Sequence, residues 1–280
     1  MSISKTGEQN KGSSFSTEAA SLYTLFCIFT GEKLHSVLYN PNSRSFLPSR
    51  VDRVQDFTQL RSLLKQAGKK ANKRYLSVAG KHFTIVPEGV FMPEHKDDYL
   101  SILFEPGEIE TKKDIRFESA TGIKNTRFIY AVEAELSQLA ATCGYRLKHA
   151  LPAHLTPAQQ LAGQHTKTPN TGFLFLYEGF FYLALFQGSF LMCNTYPLLT
   201  DADLGYYTLF AMEQFDLKGD KTTLYHAGKA TDTTKKLQIV EQYVAELNPF
   251  PGDETLPGSD QNTAKKQAEN FTLHSQLLCV

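Results

Sequence analysis

A net charge is what this sequence most plainly lacks. Its 280 residues carry 29 lysines and arginines against 29 aspartates and glutamates. A balanced chain has no overall pull toward nucleic acid or anionic lipid. Cysteine is scarce too. Cys27, Cys143, Cys193 and Cys279 are the four, and no two are spaced as a metal knuckle or a redox pair. Three lie in apolar surroundings, so buried thiols in a reducing compartment are expected. The opening MSISKTGEQNKGSSFSTEAAS has no apolar signal core, and residues 1–20 read as a disordered lead-in. A cytoplasmic protein with no membrane insertion is the expectation.

Hydrophobic residues make up 41% of the chain, which is enough for a sizeable core, in one large domain or two ordinary ones. The most apolar run is Gly172 to Tyr196, GFLFLYEGFFYLALFQGSFLMCNTY. It is long enough for a membrane helix. Glu178 and Gln187 lie inside it, however, and a carboxylate at mid-membrane is expensive. Glycines 172, 179 and 188 divide it into pieces of strand length that are rich in aromatic residues. Three consecutive strands are predicted, turning at Glu178-Gly179 and Gln187-Gly188, in a sheet covered on both faces.

The rest of the chain reads in order. Strands are predicted over Leu22 to Phe29, Lys33 to Tyr39 and Arg44 to Leu47. A helix capped by Asp52 then carries Phe57, Leu60, Leu64 and Ala67 to a stop at Gly68. Further strands are expected at Arg74 to Val78, Phe83 to Val86, Tyr99 to Phe104, Asp114 to Phe117 and Arg127 to Ala131. A helix on Val132, Leu136, Leu139 and Cys143 stops at Gly144, an extended stretch runs from Tyr145 to Leu151, and Thr156-Pro157 opens a short helix. After the three central strands come a helix opened by Thr200, a strand over Thr222 to His226, and a helix capped by Asp232 or Thr233. Asn248 to Asn270 reads as a linker or mobile loop, and FTLHSQLLC is apolar enough to dock back on the core.

Three strands, a helix and a strand thus occur twice, from Leu22 and from Gly172, which suggests a duplication. The repeated unit resembles the actin-like ATPase fold of the ribonuclease H-like class, an α/β architecture. It is most similar in pattern to the pilus-assembly members, whose halves are joined as CGYRLKHALPAHLTPAQQLAGQ would join these. The whole chain also resembles an uncharacterised bacterial family of this fold found in Bacteroidetes. The resemblance implies two lobes, 21–165 and 166–280, each opening with a three-stranded meander, the second with a mobile loop over 248–270.

In active members of that fold an Asp-x-Gly turn opens each half, placing a carboxylate near the metal ion; small or hydroxyl residues follow it. Aligned on glycine, this chain has Phe29-Thr30-Gly31 and Tyr177-Glu178-Gly179. The aspartate positions hold Phe29 and Tyr177. Phe180 and Phe181 stand where phosphate should pass, and Glu32 and Lys33 follow Gly31. Of the paired glycines near adenosine one remains, Gly228 in Ala227-Gly228-Lys229. Gly31, Glu178, Gly179 and Gly228 are therefore degenerate nucleotide-site positions. No catalytic residue and no metal ligand is assigned, and ATP with magnesium has no motif to hold it.

Other candidates have ordinary explanations. The basic stretch Arg61 to His82 could meet RNA, but it has little aromatic interleaving and no known motif, and reads first as a solvated surface. His149 and His154 are badly spaced for helical metal ligation. His226 ends a strand near the expected cleft. Asp201 and Asp203 fit a helix start without chemistry. Ser36 and Ser189 lack an elbow motif. The expectation is a non-catalytic scaffold or adaptor with a protein partner, self-association included. The alternative is a nucleotide-binding protein with an altered site using Glu178, Glu32 or Asp201. An RNA-associated factor is the third reading.

Overall fold

The computed structural model describes residues 22–103, 113–119, 123–164, 170–251 and 264–279. The lead-in over 1–20 lies outside them. The first half contains β1 (Thr24–Phe29), β2 (Lys33–Asn40), β3 (Ser45–Phe46), β4 (Arg50–Arg53), α1 (Phe57–Gly68), β5 (Lys73–Val78) and β6 (Phe83–Pro87). It continues with α2 (Lys96–Leu100), β7 (Lys113–Ser119), β8 (Thr126–Glu133), α3 (Ala134–Thr142), β9 (Arg146–His149) and α4 (Leu151–Gln164). The second half contains β10 (Asn170–Tyr177), β11 (Gly179–Gln187), β12 (Ser189–Leu198), α5 (Asp203–Gln214), β13 (Thr222–Gly228), α6 (Thr233–Glu241), β14 (Glu246–Pro249) and α7 (Ala264–His274).

The duplication is visible in the sheets. One runs β3-β2-β1-β5-β9, with β4 also on β2; the other runs β12-β11-β10-β13-β14. In each, the opening hairpin is antiparallel and the next two pairings are parallel. A third sheet, β6-β8-β7, is inserted between β5 and β9.

The central run is indeed three strands, and all eight residues of β10 are buried. Its two faces differ in chemistry because side chains alternate along a strand. Phe173, Phe175 and Tyr177 of β10, with Tyr182 and Phe186 of β11, enter a core that also holds Phe26, Leu76 and Phe128 of the first half. Leu174, Leu176, Phe181, Leu183 and Leu185 enter a separate core with Leu204 and Met212 of α5. One face is aromatic and joins the halves; the other is mainly aliphatic and carries helices. Among the described residues no helix is long and apolar enough to cross a membrane.

At the outer edge of the second sheet β12 has no charged side chain in ten residues. Its edge is blunted by other means. The register slips between Leu185/Phe186 of β11 and Met192/Phe190, leaving Leu191 as an extra residue. Asn194 Oδ1 accepts the Thr195 N–H at 2.8 Å. Pro197, on the same side of the ladder as Thr195, has no N–H to offer.

Several expectations are corrected. Asp56, not Asp52, caps α1, accepting the Gln59 N–H at 2.7 Å. Asp52 lies in β4, where its carboxylate meets Arg50. Tyr99 to Leu103 is helical, in α2 and a 3-10 turn; Phe104 lies outside the described residues. Asp97 and Asp98 favour a helix start there, and Tyr99 Oη donates back to Val90 O at 2.6 Å. Leu151 begins a helix instead of ending a strand. Its N–H is accepted by His149 Nδ1 at 3.2 Å, and Pro152 fits the first turn. Thr156 is therefore not a cap; its hydroxyl donates to Pro152 O inside α4. The linker expected from Asn248 to Asn270 is structured at both ends, by β14 and by α7, and 252–263 lies outside the described residues.

Candidate functional site

The two hairpin turns that would embrace a nucleotide are built by the same device. Gly31 (φ +94°) and Gly179 (φ +83°) take the left-handed turn position that other residues adopt only with strain. Phe29 and Tyr177 precede these turns, and both are buried. Tyr177 is held by chemistry of its own. Its hydroxyl pairs with His154 Nε2 at 2.7 Å, and its ring stacks on Phe180 at 5.0 Å and 10°. Burial raises the Tyr177 phenol far above its ordinary range, so it stays neutral. Where an aspartate would carry charge toward a metal ion, this chain has a neutral ring fixed in the core.

Phe180 lies on that aromatic face, but Phe181 does not. It is fully buried on the opposite side, in the aliphatic core. Tyr182 takes the place expected of Phe181 and bridges the halves, donating to Gly80 O at 2.9 Å and meeting the Phe83 ring edge-on at 5.7 Å.

Beside the turns an open cleft of about 430 Å³ remains. Its floor includes Ile28 and Leu176, and its walls include Glu178, Lys33, Thr231 and α7. Glu178 accepts a short hydrogen bond from the Thr231 hydroxyl and lies 3.7 Å from Lys33 Nζ. Lys229, also on the wall, lies 3.8 Å from Glu269 of α7. Each lysine of the cleft thus faces a carboxylate, and this arrangement offers phosphate no unopposed cation. These are solvent-exposed pairs of modest energy, so their meaning is charge balance more than stability.

The other acids do not converge here. Glu32 is exposed in its turn. Asp201 is held by Lys235 and by Lys236 Nζ at 3.0 Å, and these partners, Lys235 first, draw its carboxyl below the usual range. His226 lines a neighbouring hollow beside α6. Gly228 is placed by packing: it pairs with Leu176 across β10 and β13, and a methyl group there would stand 2.2 Å from Leu176 O and 3.0 Å from Thr272 Cγ2. Gly228→Ala, at φ +84°, is expected to destabilise by at least about 2 kcal/mol, read as a lower urea midpoint. A change within 0.5 kcal/mol, roughly the noise of a surface substitution, would contradict this packing role.

The residue that sequence reading undervalued is His154. It is fully buried, and besides Tyr177 it pairs through Nδ1 with Ser275 Oγ at 2.9 Å. It thereby ties α4, β10 and the C-terminal turn together. Nearby, Gln276 accepts from Ser77 Oγ at 2.6 Å and donates to Ala150 O at 3.2 Å. Among the described residues no group of three or more His, Cys, Asp and Glu could hold a metal ion.

A family model described as "Protein of unknown function (DUF3822)" matches residues 9–247. The chain belongs to this family. No curated protein matches this DUF3822 member. Among solved structures, it is similar to a Bacteroides thetaiotaomicron protein described as having an actin-like ATPase fold and unknown function. Identity is 14%, coverage is 94% of this chain and 98% of that one, and the TM-score is 0.72. It is also similar to a chain of the PilM–PilN type IV pilus biogenesis complex, at 14% identity, 90% and 96% coverage and a TM-score of 0.57. At such identities the likeness shows the fold alone. The DUF3822 chain has the actin-like ATPase fold, duplicated as its sheet orders are.

Proposed function

We propose that this protein is a non-catalytic, actin-like scaffold that binds a protein partner in the cytoplasm. The observation that carries the reading is the replacement of both turn carboxylates by buried rings, with Tyr177 locked to His154 and Phe180. Phosphoryl transfer in this fold depends on charge held at those positions. The paired lysines of the cleft support the same reading. The division into lobes, 21–165 and 166–280, belongs to it. So does the cytoplasmic setting, to which the free, buried Cys27 and Cys143 are suited. The PilM–PilN complex is an assembly of proteins, and a partner-binding role for this chain follows that example.

The test is a thermal-shift titration with ATP, ADP and GTP, with and without magnesium. The expected result is no shift at millimolar nucleotide. A ligand at 100 times its dissociation constant would add about 2.7 kcal/mol, which amounts to several degrees. A shift of that size, lost in a Glu178→Gln variant, would establish the altered-site reading in place of the scaffold.

A further inference from the structure

The outward face of α5 is aromatic where a solvated helix would be charged. Of the ten large hydrophobic side chains exposed among the described residues, five lie on α5, beside its ends or in a hollow along it: Leu199, Tyr206, Phe210, Phe215 and Tyr243. Tyr206, Phe210 and Glu213 stand at i, i+4 and i+7, in one exposed stripe roughly 10 Å long. Its rings continue to the edge strand. Phe210 stacks on Tyr206 at 6.2 Å, Tyr206 meets Tyr207 edge-on at 5.0 Å, and Tyr207 stacks on Tyr196 of β12 at 5.2 Å. Contiguous exposed rings of this kind mark interaction sites.

The stripe ends at an open hollow of about 330 Å³, with Glu213 common to both. Leu209, Met212 and Leu217 make the hollow aliphatic, and Tyr243 lines it. Glu213 and Asp216 stand exposed beside them, and neither has an ion-pair partner among the described residues. Lys218 is the one base among the lining residues. Glu213 lies in the last turn of α5, where the helix dipole disfavours a carboxylate, so helix formation gives no reason for it. Residues 168–217 include five acids and no lysine, arginine or histidine, so nothing on β12 or α5 repels a cation.

We propose that this face binds a basic segment of a partner protein, with one arginine in the hollow and apolar side chains over Tyr206 and Phe210. The arginine stem lies on Leu209, Met212 and Leu217, its guanidinium reaches Glu213 and Asp216, and the Tyr243 ring is at hand for a cation–π contact. The inference rests on the scaffold reading and names the chemistry of the partner. Nucleic acid and anionic lipid are disfavoured, because each brings negative charge to Glu213 and Asp216. A symmetric pair of copies would bring only Lys218 to offset both acids of each face.

The experiment is fluorescence anisotropy on the full chain with a labelled synthetic peptide of arginine, leucine and alanine, about twelve residues long. Binding is expected, weakening as salt rises. Y206S/F210S is expected to weaken it at least about tenfold, and E213Q/D216N about as much. Glu135→Gln, which removes an exposed acid of α3, should leave it unchanged. Should a double variant fold poorly, E213Q alone should weaken binding by roughly a few-fold. Absence of binding, equal weakening by Glu135→Gln, or equally tight binding of a peptide with glutamine for arginine would overturn the proposal. So would a concentration-dependent dimer that Y206S/F210S abolishes and the peptide does not disperse. The nucleotide titration is run on the same sample. A nucleotide shift overturns the scaffold reading; silent nucleotides with no peptide binding overturn only the basic partner.

Discussion

Lowering the pH from 7.5 to 5 is expected to remove about 4 kcal/mol of stability, half of it through His149 and half through His154. Both imidazoles are buried, and burial pushes each down to about 3 from an ordinary 6.5, with a hydrogen bond to the Gly80 backbone opposing it at His149 and His149 itself adding to it at His154. A base whose folded pKa is depressed stays neutral in the native state while the unfolded chain takes up its proton. Its stability contribution is complete above 6.5 and is lost as the pH falls toward the folded value. At pH 5 the unfolded form gains roughly 2 kcal/mol per histidine. His274, driven by burial to about 4, adds in the same direction. Most carboxylates titrate below this window, so the histidines dominate it. Urea midpoints at the two pH values measure the effect. In His154→Gln the pH-dependent loss should fall by about half, although the variant is less stable throughout. An unchanged pH dependence would mean that His154 is not the buried neutral group described.

Phe175→Ala is expected to cost about 3–5 kcal/mol, a large share of the 5–15 kcal/mol that typically holds a folded domain. The ring is fully buried and lies against His154, Phe250 and Phe271 at centroid distances of 5.0, 6.4 and 6.2 Å. It belongs to the aromatic face that joins the halves, so its loss loosens the β10 sheet from the C-terminal helix as well as leaving a void. Phe271→Ala should be less than additive with it, by about 0.5–1.5 kcal/mol, because each removes the other's partner. Full additivity in denaturant midpoints would show that the two rings act separately.

The repeat was readable because its signals are local. Gly179 and Gly188 cut the apolar run at turns, and helices such as α1 show their buried stripe through Leu60 and Leu64. The degenerate turns were equally readable, since a missing aspartate needs no structure to be noticed. What escaped depends on contacts distant in sequence. Alternation along FLFLY does not say which face meets the other half, so Phe181 was placed on the wrong side. Pro152 and Pro157 hid the true start of α4 because helix-breaking propensity is local, and burial of Leu151, Ala153 and His154 outweighs it. His154 could not be matched with Tyr177, 23 residues away, or with Ser275, 121 away, from spacing alone. β4 escaped as well, because RVDR has a single apolar residue and is a strand only through its pairing with β2.

The blunted margin of β12 decides how this chain behaves among its own copies. Ten uncharged residues along an open strand edge would ordinarily be a template for pairing with another chain. Here two successive docking points for an incoming backbone are gone, one already filled by Asn194 and one erased by Pro197. Strand addition at this margin is thus interrupted at two successive positions, so whatever binds there relies on side chains more than on a continuous backbone ladder.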